Sequence, residues 1–288
     1  MELLQLLEAS TPFLLLATGM LGLVVGSFLN VVIHRLPLMM EHELSRECDE
    51  YLGTTVAADS GKPGHYNLLT PASACPACGH RIRWWENIPV ISYLLLRGKC
   101  SACGAAISWR YPAVESVTAI LSIVTALYFG YSTQLLAALL FTWAMIPLFL
   151  IDFDRQILPD MITLPLLWLG LLCSLNGLFI DSHASIAGAA TGYLSLWLIY
   201  HLFRLATGKE GMGYGDFKLL GAIGAWVGWQ SLPVVILFSS VVGAAIGIAL
   251  ILVKGRDHNQ PMPFGPFLAA AGWITLLWGN DIIALYLK

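Results

Sequence analysis

The sequence predicts an all-α polytopic membrane protein of about eight transmembrane helices, with a small zinc-binding cytoplasmic domain inserted after the first helix. Three observations predict it. Of the 288 residues, 57% are hydrophobic and only 11% are charged, and the mean hydropathy is +0.73. A soluble domain carries about 25% charged residues. Apolar stretches of about the 20 residues needed to span a bilayer recur from end to end. The basic residues collect in alternate breaks between those stretches, as membrane topology demands.

The first apolar run, from about Pro12 to Ile33, follows Glu2 and Glu8 rather than basic residues. Its positive charge, Arg35, comes after it, and no small-residue cleavage site follows. A retained helix over 12–34 is expected, with its N-terminus outside, rather than a cleaved signal. Residues 35–110 form the one sizeable soluble segment, polar in its front half from Glu41 to Lys62. A domain this small usually needs a staple. Residues 111–288 are expected to form a seven-helix membrane core. Its spans lie near 112–130, 133–153, 161–180, 184–206, 217–230, 232–253 and 264–286. Tight turns at Gly130–Ser132, Asp181–His183 and Trp229–Ser231 separate three pairs of them. The chain carries no internal repeat and no low-complexity tract.

With the N-terminus outside, the inside segments are 34–111, 153–160, 204–218 and 254–263. The first holds Arg35, Arg46, Lys62, Arg81, Arg83, Arg97, Lys99 and Arg110. The others hold Arg155; Arg204, Lys209 and Lys218; and Lys254 and Arg256. Of the 15 basic residues only Lys288 falls elsewhere. This distribution places Asp152 and Asp216 at the same, cytoplasmic margin.

The staple is legible. Cys75-Pro-Ala-Cys78 and Cys100-Ser-Ala-Cys103, separated by residues 79–99, have the spacing of a four-thiolate tetrahedral zinc site. Four protein ligands leave no open position, so this zinc is expected to be structural. Cys48 and Cys173 are unpaired, and the seven histidines form no HExxH cluster.

The chemistry is expected at the aspartates. Acids at the margin of a span are costly and usually functional when they face the protein interior. Asp152 ends one apolar run in PLFLIDFD; Asp216 closes Gly211-Met-Gly213-Tyr-Gly215-Asp and opens another. Two close carboxylates share a proton, so one activates water while the other protonates a carbonyl oxygen. The three glycines permit close approach of backbone to a substrate strand or a partner helix. Asp154 and Asp160 fall in the polar turn with Arg155 and Pro159, where Asp160 is placed to cap the next helix.

The long blocks GSFLNVVIHRLP (26–37), CPACGHRIRWWENIPVISYLLLRGKCSACGAAISWRYPAVE (75–115), IDFDRQILPD (151–160), GMGYGDFKLL (211–220) and PFGPFLA (263–269) carry a resemblance. The chain resembles the bacterial type IV prepilin peptidases, the bifunctional leader peptidase/N-methyltransferases of pilus assembly and type II secretion. The resemblance implies that Asp152 and Asp216 are the catalytic pair. It implies cleavage after a glycine, at the cytoplasmic side of the inner membrane, of the basic leader of prepilins and pseudopilins. Methylation of the new N-terminus from S-adenosylmethionine would follow. The expected partners are these substrates and the lipid bilayer, not nucleic acid. Glu86 and Asn87, beside Trp84 and Trp85, read either as substrate or methyl-donor contacts or as an interfacial aromatic stretch. A rival reading, a proton-coupled transporter, also uses buried acids, but it calls for repeated halves around a midplane site.

Overall fold

The structure, a computed structural model, describes residues 2–53, 66–254 and 262–286. Lys62, Arg256 and Lys288 of the charge pattern lie outside the described residues, as does part of the polar stretch ending at Lys62. Ten α-helices run in order among the described residues: α1 (Glu2–Ala9), α2 (Thr11–Leu52), α3 (Ile91–Leu95), α4 (Arg110–Phe129), α5 (Thr133–Arg155), α6 (Asp160–Leu175), α7 (Ser182–Thr207), α8 (Tyr214–Val227), α9 (Leu232–Lys254) and α10 (Gly265–Tyr286). The only β pairing among these residues is two isolated bridges, Ala74–Arg81 and Lys99–Ala106.

Eight of the helices coincide with the eight expected apolar segments. Among the described residues, six helical segments are long and apolar enough to cross a membrane. The other two are α6, of 16 residues, and α8, of 14. At 1.5 Å per residue they reach only about 24 and 21 Å, short of a hydrocarbon core of roughly 30 Å. For α8 burial explains the shortness. Asp216, Phe217 and every residue from Leu219 to Val227 are buried, against α6, α7 and α10. A helix wrapped in protein needs no lipid-matched length, because protein rather than lipid meets its ends.

The chain divides into two compact units, Met1–Leu127 and Tyr128–Lys288. In the first, the N-terminal helix does not stop near Ile33 as expected but continues to Leu52. Residues 38–52 are rich in Glu, Leu and Met, which favour helix and carry it past Pro37. Gly53 ends it in the left-handed conformation (φ 61). The unit takes α4 with α2 rather than with the later helices, and small residues explain the pairing. A Cβ added at Gly22 would lie 2.7 Å from Ala119 Cα, and one at Gly26 would lie 2.7 Å from Glu115 Cα. Such a seam lets two helix backbones close on each other without a hydrophobic driving force. Polar groups along α4 are satisfied locally: Thr118 and Ser122 donate to Val114 O and Thr118 O, each at 2.7 Å. Arg35 is buried rather than solvated. It donates to Asn67 O at 3.0 Å and stacks on Tyr66, holding the segment that follows α2.

The second unit is built around α8. A Cβ at Gly188 of α7 would run into the Gly224 carbonyl oxygen, and one at Gly192 would lie 2.6 Å from Leu220 O. On the α6 side, Trp226 fills the space left by Gly170 and donates from Nε1 to Leu166 O at 2.9 Å. Ser185 donates to Ala225 O at 2.6 Å. α10 joins α5 through Trp273 Nε1, which donates to Thr142 Oγ1 at 3.0 Å. These contacts satisfy polar groups within the unit, as a water-poor surrounding requires; Asp152 Oδ2, Tyr200 Oη and Asp216 Oδ1 are the exceptions among the described residues.

Candidate active site and metal cluster

Asp152 occupies the last turn of α5 and Asp216 the first turn of α8. Both belong to the second unit. They are 5% and 7% exposed, and each lies within coulombic reach of the other. Asp152 Oδ2 and Asp216 Oδ1 are buried without a hydrogen-bond partner. Tyr200 Oη is the third such atom among the described residues. Buried carboxylate oxygens are almost always satisfied.

The surrounding chain is pared down to fit them. The Asp152 carboxylate receives the backbone N–H of Gly265, the first residue of α10. Gly213 N–H serves Asp216 in the same way. Of the three glycines before Asp216, Gly211 abuts Phe203 and Gly215 abuts Leu158, where an added Cβ would lie 2.9 and 2.8 Å from side-chain carbons. Gly213 is exposed and its side is open. None of the three has a positive φ, so they supply room rather than left-handed backbone. Tyr200, Tyr214 and Phe217 pack edge-on and tilted, with ring centroids 5.4 to 5.6 Å apart, around the start of α8.

The neighbouring acids differ. Asp154 is exposed. Asp160 is the first residue of α6, not its cap, a position taken by Pro159. It pairs instead with Lys218 Nζ at 2.6 and 2.9 Å. Gly265, Leu158 and Lys218 were not singled out from the sequence. The block PFGPFLA contained the one signal available, a glycine between two prolines' reach of a helix start.

In the first unit Cys75, Cys78, Cys100 and Cys103 converge, their Sγ atoms all within 4.8 Å of one another. Cys75 and Cys103 Sγ stand 3.9 Å apart, Cys78 and Cys100 Sγ 4.0 Å. Thiolates around a tetrahedral zinc at about 2.3 Å stand roughly 3.8 Å from each other, so the donor set fits such an ion. The two knuckles repeat one backbone pattern, signalled by C-x-x-C-G at 75–79 and 100–104. Gly79 N donates to Cys75 O and Gly104 N to Cys100 O, both at 2.9 Å, and both glycines have φ 71.

The thiols are unequal. Backbone N–H groups of Ala77 and Cys78 lower Cys75 to about 7, and those of Cys103 and Ala102 lower Cys100. The His80 N–H pulls Cys78 down, but the Cys103 thiol, burial and the other two thiols together push it up to about 12. A cation that takes all four as thiolates removes this competition.

Glu86 belongs to this cluster. Its Oε1 accepts from Ser101 Oγ at 2.6 Å, and its Oε2 accepts from Arg83 N at 2.9 Å and lies 3.2 Å from His80 Nε2. His80 follows the first knuckle and Ser101 sits within the second, so one carboxylate ties both together. The Arg83 N–H, with Ser101 and His80, lowers Glu86 to about 2. Asn87 is exposed, as are Trp84 and Trp85, whose rings meet edge-on at 5.5 Å.

Comparison with known proteins follows the same division. Residues 20–129 match the Bacterial Peptidase A24 N-terminal domain, and residues 139–248 match the Type IV leader peptidase family. The chain is 54% identical, over 100% of its length and 98% of the relative's, to a prepilin leader peptidase/N-methyltransferase of Pseudomonas aeruginosa. It is 52% identical to the protein of that name from Aeromonas hydrophila, over 100% of this chain and 99% of the relative. With that of Dichelobacter nodosus it shares 51% over 99% of this chain and 97% of the relative. No solved structure matches. With both halves matched and relatives this similar along nearly their whole length, the chain belongs to the type IV leader peptidase family.

Proposed function

We propose that the chain is a multi-pass inner-membrane aspartic endopeptidase that removes the basic leader of prepilins and pseudopilins after a glycine. It then methylates the new N-terminus from S-adenosylmethionine. The observation that carries the peptidase reading is the pair of buried, partnerless oxygens on Asp152 and Asp216. Water held between the two carboxylates loses a proton to the ionised aspartate as its oxygen attacks the scissile carbonyl. The protonated aspartate donates to the carbonyl oxygen. Collapse of the tetrahedral species passes a proton to the leaving amine, and the C–N bond breaks. No side-chain nucleophile and no metal ligand enters these steps.

Gly213, exposed beside Asp216, is the place where a substrate backbone comes close. Cys75, Cys78, Cys100 and Cys103 would hold a zinc ion, which when bound cross-links the two knuckles and supplies no catalysis. Glu86 braces that site, and exposed Asn87 remains the candidate contact for substrate or methyl donor. The distribution of the basic residues supports a cytoplasmic side for the cysteine module and the dyad, the side on which a prepilin leader lies. The transporter reading finds no support in the family match.

The test incubates detergent-solubilised protein with a prepilin and follows it by mass spectrometry. Loss of the leader, followed by a gain of one methyl group on the mature chain, is the expected result. An untouched prepilin would overturn the reading.

A further inference from the structure

The block PFGPFLA supplies no acid, no base and no metal ligand. Its glycine nevertheless meets the dyad. A Cβ added at Gly265 would lie 2.6 Å from Asp152 Oδ2, 3.0 Å from Asp152 Cγ and 3.1 Å from Leu158 Cδ1. Gly265 does not have a positive φ, so its backbone alone does not call for glycine. The space beside Asp152 does. Asp152 Oδ2 is one of the three orphaned buried oxygens among the described residues, and a methyl group at 265 would take the place where its partner must come. Meanwhile the Gly265 N–H is directed at the same carboxylate. This amide is one of the free donors of the first turn of α10, whose dipole favours negative charge there.

Leu158 completes the arrangement. It lies in the short connection from Asp152 to α6. Its side chain fills the gap between Gly265 and Gly215, the residue before Asp216; an added Cβ at 215 would lie 2.8 Å from Leu158 Cβ. One side chain thus spaces the starts of α8 and α10, and both contacts exist only because each helix start is a glycine.

Resting on the peptidase reading above, we propose that Gly265 is a positioning residue for Asp152. Its N–H orients the carboxylate, and its missing side chain keeps Oδ2 open to the reacting water. The crowded atom belongs to a carboxylate at the end of a rotatable side chain, so Gly265→Ala displaces that carboxylate while the helices stay packed.

The experiment compares Gly265→Ala with Gly272→Ala, one of the next glycines along α10, where an added Cβ meets Ile223 Cδ1 at 2.7 Å in the core. Four quantities are read in detergent: kcat and KM for leader removal, its pH profile, methylation of a pre-cleaved peptide, and the thermal midpoint. Gly265→Ala is expected to lower kcat on the order of 100-fold, the effect of a small displacement in a catalytic group. KM, methylation and the midpoint are expected to stay, and the acid limb of the pH profile to move. Gly272→Ala is expected to lower the midpoint and keep kcat. If Gly265→Ala unfolds the protein through Leu158, the double variant Gly265→Ala/Leu158→Ala relieves that contact and is expected to fold with kcat still low. The proposal is overturned if the folded variant keeps kcat within about threefold of the parent, or if cleavage, methylation and midpoint fall together. Equal loss of kcat in Gly272→Ala also overturns it. Asp152→Asn run alongside separates the two levels. Retained cleavage there removes the peptidase reading, whereas an inactive Asp152→Asn beside an active Gly265→Ala removes only the role of Gly265.

Discussion

Lys218 Nζ lies 2.6 Å from Asp160 Oδ2, so the cation two residues after Asp216 is held by a different acid. Neighbours two apart on a helix point in different directions. Asp216 stays buried without a cation, while the Lys218–Asp160 pair is partly exposed, at 34% and 49%.

That contrast predicts which acids matter. A half-exposed ion pair contributes about 0–1 kcal/mol. Asp160→Asn should therefore keep leader cleavage within about fivefold. Asp152→Asn or Asp216→Asn should each abolish it, and the double variant should be no worse, because acid and base act as a unit. Cleavage rates of purified variants check this. Equal loss in all three singles would show the acids to be structural.

The Gly188–Gly224 crossing gives a prediction about stability. The obstruction to a side chain there is backbone, which cannot rotate away. Gly188→Ala should force α7 from α8 at a cost of about 1–3 kcal/mol, the usual penalty of overpacking. Unfolding in detergent should show a lower midpoint. Gly130→Ala, where nothing lies within 4 Å but φ is 58, should cost less, about 1 kcal/mol, through backbone strain alone.

Which of these features the sequence discloses depends on the kind of physics behind them. Apolar length and charge placement are local, and each of the eight apolar stretches they mark holds a helix, six of them long and apolar enough to cross a membrane. The C-x-x-C spacing and the acid at each helix end are also written in single residues. What escapes is whatever depends on a neighbour distant in sequence. The continuation of α2 to Leu52 is a matter of helix propensity in a polar stretch, where no apolar periodicity marks it. The shortness of α8 follows from its being surrounded, which no window of residues reveals. Glu86 reads as a surface acid until Ser101 and His80 are seen against it. Gly265 is one of 27 glycines, and only Asp152 at its side distinguishes it.

Glu86 gives a prediction in metal and pH. Glu86→Gln keeps the shape but weakens three charge-assisted contacts, so the variant should release zinc faster to a chelator. The sign of the pH effect follows from its lowered pKa. The native contribution is complete above the ordinary value of about 4.5 and is lost as pH falls toward about 2. The advantage of the parent over Glu86→Gln should shrink across that window. An advantage that grows as pH falls would contradict the assignment.

The charge pattern gives a prediction in topology. Exposed Lys209 lies in the connection between α7 and α8, and Asp181 caps the opposite end of α7. The 26 residues of α7 extend about 39 Å, enough to cross the bilayer. A reporter cysteine at 209 should resist membrane-impermeant reagents in intact cells, whereas one at 183 should react. Labelling at 209 from outside would reverse the orientation.

The two proposed activities should separate by unit. The dyad lies wholly in the second unit and the cysteine cluster wholly in the first. Hydrolysis requires the two acids, water and a positioned strand. Methyl transfer requires a pocket for a soluble, charged donor, which is easier to build outside the bilayer than among lipid-facing helices. It also follows cleavage, because the acceptor amine does not exist before the peptide bond breaks. Cys75→Ser and Cys103→Ser should therefore lower methylation more than cleavage. Asp152→Asn and Asp216→Asn should lose cleavage yet still methylate a pre-cleaved peptide. The measurements are leader removal from a full prepilin and methyl incorporation into a synthetic mature N-terminus, made on each variant. Loss of both activities in the aspartate variants would point to one shared site in the second unit and leave the cysteine module a purely structural part.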